Sequence, residues 1–259
     1  MCLLIVLART HPEAPLVVAA NRDELLDRPA VPMSVLRERD PRVLGGRDEL
    51  AGGTWLAVND AGVVAGLTNR PKEGGRDVSK RSRGELPLAL ASHPSAAAAV
   101  EAVTSAHRPS DYNPAWLLVG DRQDLFAVDM TGDDAVVVEQ LPPGIHVLEN
   151  RPLGVPSPKV DHVRTLLAGI EGLSETELVG RLQSVMANHD VPEGALGVDE
   201  IAIGEVPPEV KAACVHTERY GTRWSGVVTV PRGREERPNL RYADGPPCQT
   251  AYREAASFW

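Results

Sequence analysis

Apolar residues in this chain come mostly in short, nearly unbroken runs. Residues 2–8 (Cys-Leu-Leu-Ile-Val-Leu-Ala) and 16–20 (Leu-Val-Val-Ala-Ala) flank a polar stretch from Arg9 to Pro12, which predicts an N-terminal hairpin. Runs of Val, Ile and Leu without alternation mark strands covered on both faces, so this hairpin belongs in the middle of a sheet. A second hairpin is predicted from 54–58 and 63–68 around Asn59-Asp60-Ala61-Gly62. Between the two, residues 30–50 are rich in Pro, Arg and Asp and carry no period, so they predict no element. Whether the Arg-rich stretch from 29 to 47 is a lid stays open.

Further along, the Ala-rich stretch 94–107 starts with a proline and predicts a closely packed helix. Short β-like runs at 116–119, 125–129, 135–138 and 145–148 are separated by Gly-Asp, Thr-Gly-Asp-Asp and Pro-Pro-Gly, which predicts an antiparallel meander. Val160, Val163, Leu167 and Ile170 then recur at helical spacing. Ser174 and Glu177 form a capping box ahead of Leu178, Leu182 and Val185. A late strand is predicted at 226–230, and the tail from 231 to 259 is polar and Pro-rich. Strands, a helix, many strands, two helices and strands again make an α+β pattern of antiparallel sheets. No repeat or linker divides residues 1–259, so a single domain is expected.

Composition narrows the function classes. With 42% hydrophobic and 24% charged residues the 259-residue chain can bury a core. Its net charge of −9 argues against nucleic acid or an anionic membrane as the main partner. Three cysteines, Cys2, Cys214 and Cys248, are an odd number without C-x-x-C spacing, and the seven histidines show no H-x-x-x-H pair. Neither a disulfide framework nor a metal site is therefore predicted. The first apolar run lacks a basic leader and falls far short of the roughly 20 residues of a membrane span. These features fit a cytoplasmic protein, exclude neither a small-molecule substrate nor a hydrophobic ligand, and leave its oligomeric state open.

Cys2 stands out by position, because initiator methionine is generally removed before a small residue. One residue would then bear both a thiol and an α-amine of pKa roughly 7.7 to 8.0, a nucleophile with its own base. Alternatively, Cys2 is a small hydrophobe opening a buried strand. The second apolar run ends in Asn21-Arg22-Asp23-Glu24, polar residues where a strand leaves the core. A period of two puts Asn21 and Asp23 on one face and Arg22 and Glu24 on the other. An acidic residue there would hold the α-amine, or Arg22 and Glu24 would simply close the sheet as an ion pair. The pairs Gly45-Gly46 and Gly52-Gly53 lack a phosphate-loop pattern and read as tight turns. Trp55, Trp116 and Trp224 are expected in the core, with Trp55 also a candidate pocket wall.

Cys2, NRDE (21–24), GGRD (45–48), GGTW (52–55), LTNR (67–70), SRGEL (82–86) and YGTR (220–223) together resemble the NRDE family, also called the transport-and-Golgi-organisation family. That family resembles the N-terminal nucleophile hydrolases, which implies a four-layer αββα sandwich of two antiparallel sheets covered by helices. Likeness to choloylglycine hydrolases implies that Asp23 orients the residue-2 amine, although their arginine falls on Ala20. AGLTNRP (65–71) and VLENRP (147–152) resemble two of their loops, which implies oxyanion donors at Asn69 and Asn150. Both residues also read as turn asparagines before Arg-Pro. Arg223 in YGTRW resembles their late active-site arginine, with Arg219 a competitor. Asn21, Arg22 and Trp55 complete the expected site as substrate-binding residues.

Three functions remain in view. The resemblance implies an amidohydrolase with a cysteine nucleophile, acting on a non-peptide amide bond of unknown substrate and needing no cofactor. It also implies a non-catalytic alternative, haem or hydrophobic-ligand trafficking, although no C-x-x-C-H motif marks a haem ligand. The missing arginine at Ala20 fits an interaction module on a retired hydrolase fold.

Overall fold

A computed structural model describes residues 2–71, 75–132, 134–193 and 207–259. The thirteen strands among the described residues lie in two antiparallel sheets. The first is built on β1 (Cys2–Ala8), β2 (Leu16–Leu25) and β11 (Tyr220–Val230), with β10 (Gly144–Leu148) at one edge and β12 (Asn239–Ala243) and β13 (Arg253–Glu254) at the other. Its order is β10-β1-β2-β11-β12-β13. The second runs in sequence order through β3 (Ala30–Arg37), β4 (Val43–Asp48), β5 (Leu56–Asn59), β6 (Val64–Asn69), β7 (Ala115–Gly120), β8 (Leu125–Asp129) and β9 (Val137–Gln140).

Three cores separate four layers. Leu4, Val6, Val18 and Val228 of the first sheet meet Leu56, Val64 and Leu118 of the second between the sheets. On the other face of β1, Leu3, Ile5 and Leu7 pack with Val163 of α3 (Pro158–Leu166) and Leu178, Leu182 and Val185 of α4 (Glu175–Met186). Outside the second sheet, Ala65, Leu117 and Val119 pack with Leu86 and Leu90 of α1 (Glu85–Ala91) and Ala96, Ala99 and Val103 of α2 (Ala96–Ala106). Every residue of β1 is buried, because helices cover one face and a second sheet the other; that double burial is why its sequence does not alternate.

Local chemistry accounts for the helix starts. Ser95 and Ser157 cap α2 and α3 by accepting the backbone N–H of Ala98 and Val160, and the Ser174–Glu177 box closes α4 in both directions.

The structure corrects the chain reading in several places. The segment expected to hold no element forms β3 and β4; bulges in their pairing and the buried Gly45-Gly46 break the alternation that would have revealed them. Gly45 and Gly46 are therefore strand residues rather than a turn. A Cβ on Gly46 would fall 2.0 Å from Cζ2 of Trp55, so its bare backbone makes room for the indole. The meander also ends early: β10 leaves the second sheet and pairs with β1, Leu4 opposite Leu148. Finally, α1, β12 and β13 lie where no element was expected.

Candidate active site

Cys2 sits buried at the start of β1, paired across to Arg22 of β2. The β1–β10 register, with Ile5 opposite Val147 and Leu4 opposite Leu148, carries the chain after β10 back past the Cys2 end. Asn150 arrives there, and its Oδ1 accepts the residue-2 backbone N–H at 3.2 Å. Its Nδ2 donates to the backbone carbonyl of Asn69, the last residue of β6. One asparagine thus links the start of β1 in the first sheet to the end of β6 in the second. Beside them lies a cavity of about 370 Å³, bordered by Cys2, Asp23, Trp55, Asn69 and Asn150 among others, a volume suited to a small organic molecule.

Asp23 is buried. Its Oδ1 accepts the hydroxyl of Thr222 at 2.6 Å, and its backbone carbonyl accepts the Tyr220 hydroxyl at 2.6 Å. Burial raises the carboxyl above its ordinary pKa, while the charge of Lys159 and the Thr222 hydrogen bond oppose that rise. Burial likewise raises the Cys2 thiol, helped by the Asp23 charge and opposed by Arg22 and by a hydrogen bond from the Asp23 backbone. The sulfur is therefore held as a thiol and needs a base to react.

Arginines dominate the cavity wall: Arg22, Arg28, Arg70, Arg76, Arg81 and Arg83 all border it. Arg22 and Arg28 converge on Asp48 at 3.0 and 2.7 Å, and the Arg22 guanidinium lies 4.5 Å from the Trp55 ring centroid. Burial works to raise Asp48, but the hydrogen bonds and charges of Arg28 and Arg22 outweigh it and hold the carboxyl below its ordinary value. Arg81 pairs with Glu85 at 2.6 Å. Arg70, Arg76 and Arg83 have no carboxylate partner among the described residues. Burial and the neighbouring Arg76 charge pull Arg83 down to about 10, still high enough to keep its charge at neutral pH.

Two of the glycine words build this wall by interlocking. Gly53 has a positive φ of 81°, and a Cβ there would meet the Gly84 carbonyl carbon at 2.3 Å. The Thr54 N–H donates to the Gly84 carbonyl at 2.9 Å and the Ser82 hydroxyl to the Gly52 carbonyl at 3.1 Å. GGTW and SRGEL are thus two sides of one close backbone crossing that sets Arg83 into the cavity.

Of the residues singled out from the sequence, Cys2, Arg22, Asp23, Trp55, Asn69 and Asn150 border one cavity. Asn21 does not: it faces the helix layer, its Nδ2 donating to the carbonyls of Met186 and Ala213 at 2.9 and 2.8 Å. Arg223 is also outside the wall and donates to the backbone carbonyls of Leu25 and Arg28. It is the extra residue of a bulge, since Thr222 pairs with Asp23 while Trp224 pairs with Arg22. Tyr220 and Thr222 of the same word reach Asp23 instead. Arg83, Tyr220, Thr222 and Asp48 also shape the site without a signal of their own in the sequence, although each lies within one of the words SRGEL, YGTR and GGRD. Among the described residues, the one His, Cys and carboxylate cluster tight enough to share a metal ion, His189, Cys214, His216 and Cys248, lies outside this cavity. No described helix is long and apolar enough to cross a membrane.

The αββα layering with a cavity at the open ends of β1 and β6 is the fold of N-terminal nucleophile hydrolases. Solved structures bear this out: a conjugated bile acid hydrolase of Clostridium perfringens, its C2A mutant, superposes with a TM-score of 0.54 at 14% identity, covering 99% of this chain and 93% of that one. A Caenorhabditis elegans orthologue of N-acylethanolamine-hydrolyzing acid amidase gives 0.55 at 12% identity, covering 92% and 98%. Within that fold the chain belongs to the Transport and Golgi organisation 2 family, whose model matches residues 1–237. Family homologues from Mus musculus and Bos taurus are 28% identical over 231 residues and 29% over 240, each alignment covering 83% of this chain and 82% of the relative.

Proposed function

We propose that the protein is a cysteine amidohydrolase whose nucleophile, Cys2, is freed by removal of Met1, and whose substrate carries an anionic group beside the amide it loses. The observation that carries this reading is the residue-2 nitrogen held by Asn150 Oδ1 at 3.2 Å, on a cavity that Asp23 also borders. Once the amide N–H becomes a primary amine, its lone pair takes the thiol proton as Sγ attacks the substrate carbonyl carbon. Asn69 and Asn150 supply amide hydrogens to the oxyanion, a contact worth about 2.7 to 4 kcal/mol in such sites. The amine then passes the proton to the leaving nitrogen and the C–N bond breaks, leaving a thioester on Cys2. Water, deprotonated by the same amine, attacks the thioester and releases the acid. Asp23 keeps the amine in place and balances its charge while it is protonated. Arg70, Arg76 and Arg83, which lack carboxylate partners among the described residues, select the anionic part of the substrate.

The test is a chromatographic assay of N-acylated amino acids and taurine conjugates, combined with intact mass spectrometry. Loss of Met1, a Cys2 acyl adduct in quenched reactions and loss of product in C2A are expected. Retained Met1 in the native protein, or Cys2 no more alkylated than Cys214 and Cys248, overturns the mechanism.

A ligand-trafficking role draws on the same arginines and on the thiol being held neutral, since a bound carboxylate-bearing ligand such as haem needs no proton transfer. It predicts a saturable haem spectrum that survives C2A and an absence of turnover.

A further inference from the structure

We propose that His189, Cys214, His216 and Cys248 form a structural zinc site that braces the carboxylate of the candidate active site. The sequence shows no zinc spacing because the ligands come from three separate segments: His189 after α4, Cys214 and His216 ahead of β11, and Cys248 between β12 and β13. Folding brings one donor atom from each residue within 4.8 Å of all the others.

The separations among Cys214, His216 and Cys248 are close to what the metal requires. Tetrahedral Zn²⁺ with bonds of about 2.3 Å to sulfur and about 2.0 to 2.1 Å to nitrogen sets neighbouring donors about 3.3 to 3.8 Å apart. Here Cys214 Sγ lies 3.9 Å from Cys248 Sγ and 3.7 Å from His216 Nε2, which is 3.2 Å from Cys248 Sγ. The His189 and His216 rings are 4.8 Å apart. His189 Nδ1 lies 3.1 Å from the Cys214 carbonyl oxygen. A carbonyl only accepts, so Nδ1 carries the proton and Nε2 keeps its lone pair for a metal; this is the usual outer hydrogen bond of a ligating histidine. Four protein donors fill the tetrahedron and leave no open position, the mark of a structural rather than a catalytic zinc.

Val215 sits between two of the ligands. Its N–H donates to the Thr222 hydroxyl and its carbonyl accepts the Thr222 N–H, both at 2.8 Å, and the Thr222 hydroxyl donates to Asp23 at 2.6 Å. A bound ion therefore fixes the segment that holds the Asp23 carboxylate in place.

Zinc content of the full chain by plasma mass spectrometry, followed by Co²⁺ titration of the chelator-stripped protein, tests the proposal. About one zinc per chain is expected, with tetrahedral ligand-field bands and a thiolate-to-Co²⁺ charge-transfer band. Both signals should vanish in C214S and C248S and persist in C2A, which separates this site from the cavity. Cys248 is exposed, so C248S keeps the test open should C214S not fold. Chelation should lower the melting temperature of the parent protein and leave that of C248S unmoved. Absence of a charge-transfer band, metal lost equally in C2A, or a Cys214–Cys248 disulfide as the resting form overturns the site.

Discussion

Thr222 donates its hydroxyl to Asp23 Oδ1 at 2.6 Å while accepting the Val215 N–H at 2.8 Å, so one buried hydroxyl ties the carboxylate of β2 to the segment ahead of β11. Replacing it with valine keeps the shape but leaves the Val215 N–H and one carboxylate oxygen without it. Thr222→Val should cost about 1 to 3 kcal/mol, read by urea denaturation, with the loss in activity larger than the loss in substrate affinity.

Asp23 itself has a definite pH signature. Its pKa is raised by burial, so the folded state binds the proton more tightly than the unfolded one. The stability this gives is present below the ordinary value of 3.8 and is lost as pH rises through the folded pKa. Asp23→Asn removes the titration while keeping an acceptor for Thr222. Its stability relative to the parent should therefore grow with pH above 3.8, in denaturant titrations across the acid range; a difference that shrinks with pH contradicts the burial.

Cys2 follows the same sign. Burial raises its thiol pKa above 9.0, so the chain retaining Met1 should react slowly with iodoacetamide at neutral pH and faster as pH rises. Freed of Met1, Cys2 gains an adjacent amine, and its alkylation should become the fastest of the three cysteines, as peptide mapping will show.

Gly46 tests the wall behind the cavity. An added methyl would stand 2.0 Å from the Trp55 ring, which packs 5.6 Å from Trp224 and carries Arg22 at 4.5 Å. Gly46→Ala should lose about 1 to 3 kcal/mol by overpacking and shift tryptophan fluorescence. Gly52→Ala, with nothing within 4 Å but a φ of +68°, should show strain without the fluorescence shift.

Removing one arginine without a carboxylate partner tests selection of an anion. Arg83→Met should raise KM for anionic substrates, leave KM for neutral analogues near the parent value, and weaken the dependence of KM on salt.

Many of the strands and helices, and so the α+β pattern, were legible because their signals are local, whereas the four-layer αββα order came from the family resemblance. Unbroken apolar runs mark strands covered on both faces, as in β1, and serines at caps mark helices, as Ser174 and Glu177 do for α4. β3 and β4 were illegible for an equally local reason: bulges and paired glycines erase the period of two. The words Cys2, NRDE, LTNR and VLENRP marked residues that meet in one cavity, but the side each takes was hidden. Asn21 faces the helices, Arg223 is turned out by a bulge, and Arg83 enters by a glycine crossing.

By itself the sequence determined which segments must be buried and which residues carry reactive groups, because hydrophobicity and side-chain chemistry belong to each residue wherever it lies. Only the tertiary structure decided which groups meet. The passage of β10 from one sheet's neighbourhood to the other's brings Asn150 to the residue-2 nitrogen, and the gathering of three loops puts two cysteines beside two histidines. Both are long-range pairings, set by register and packing between segments that share no local pattern.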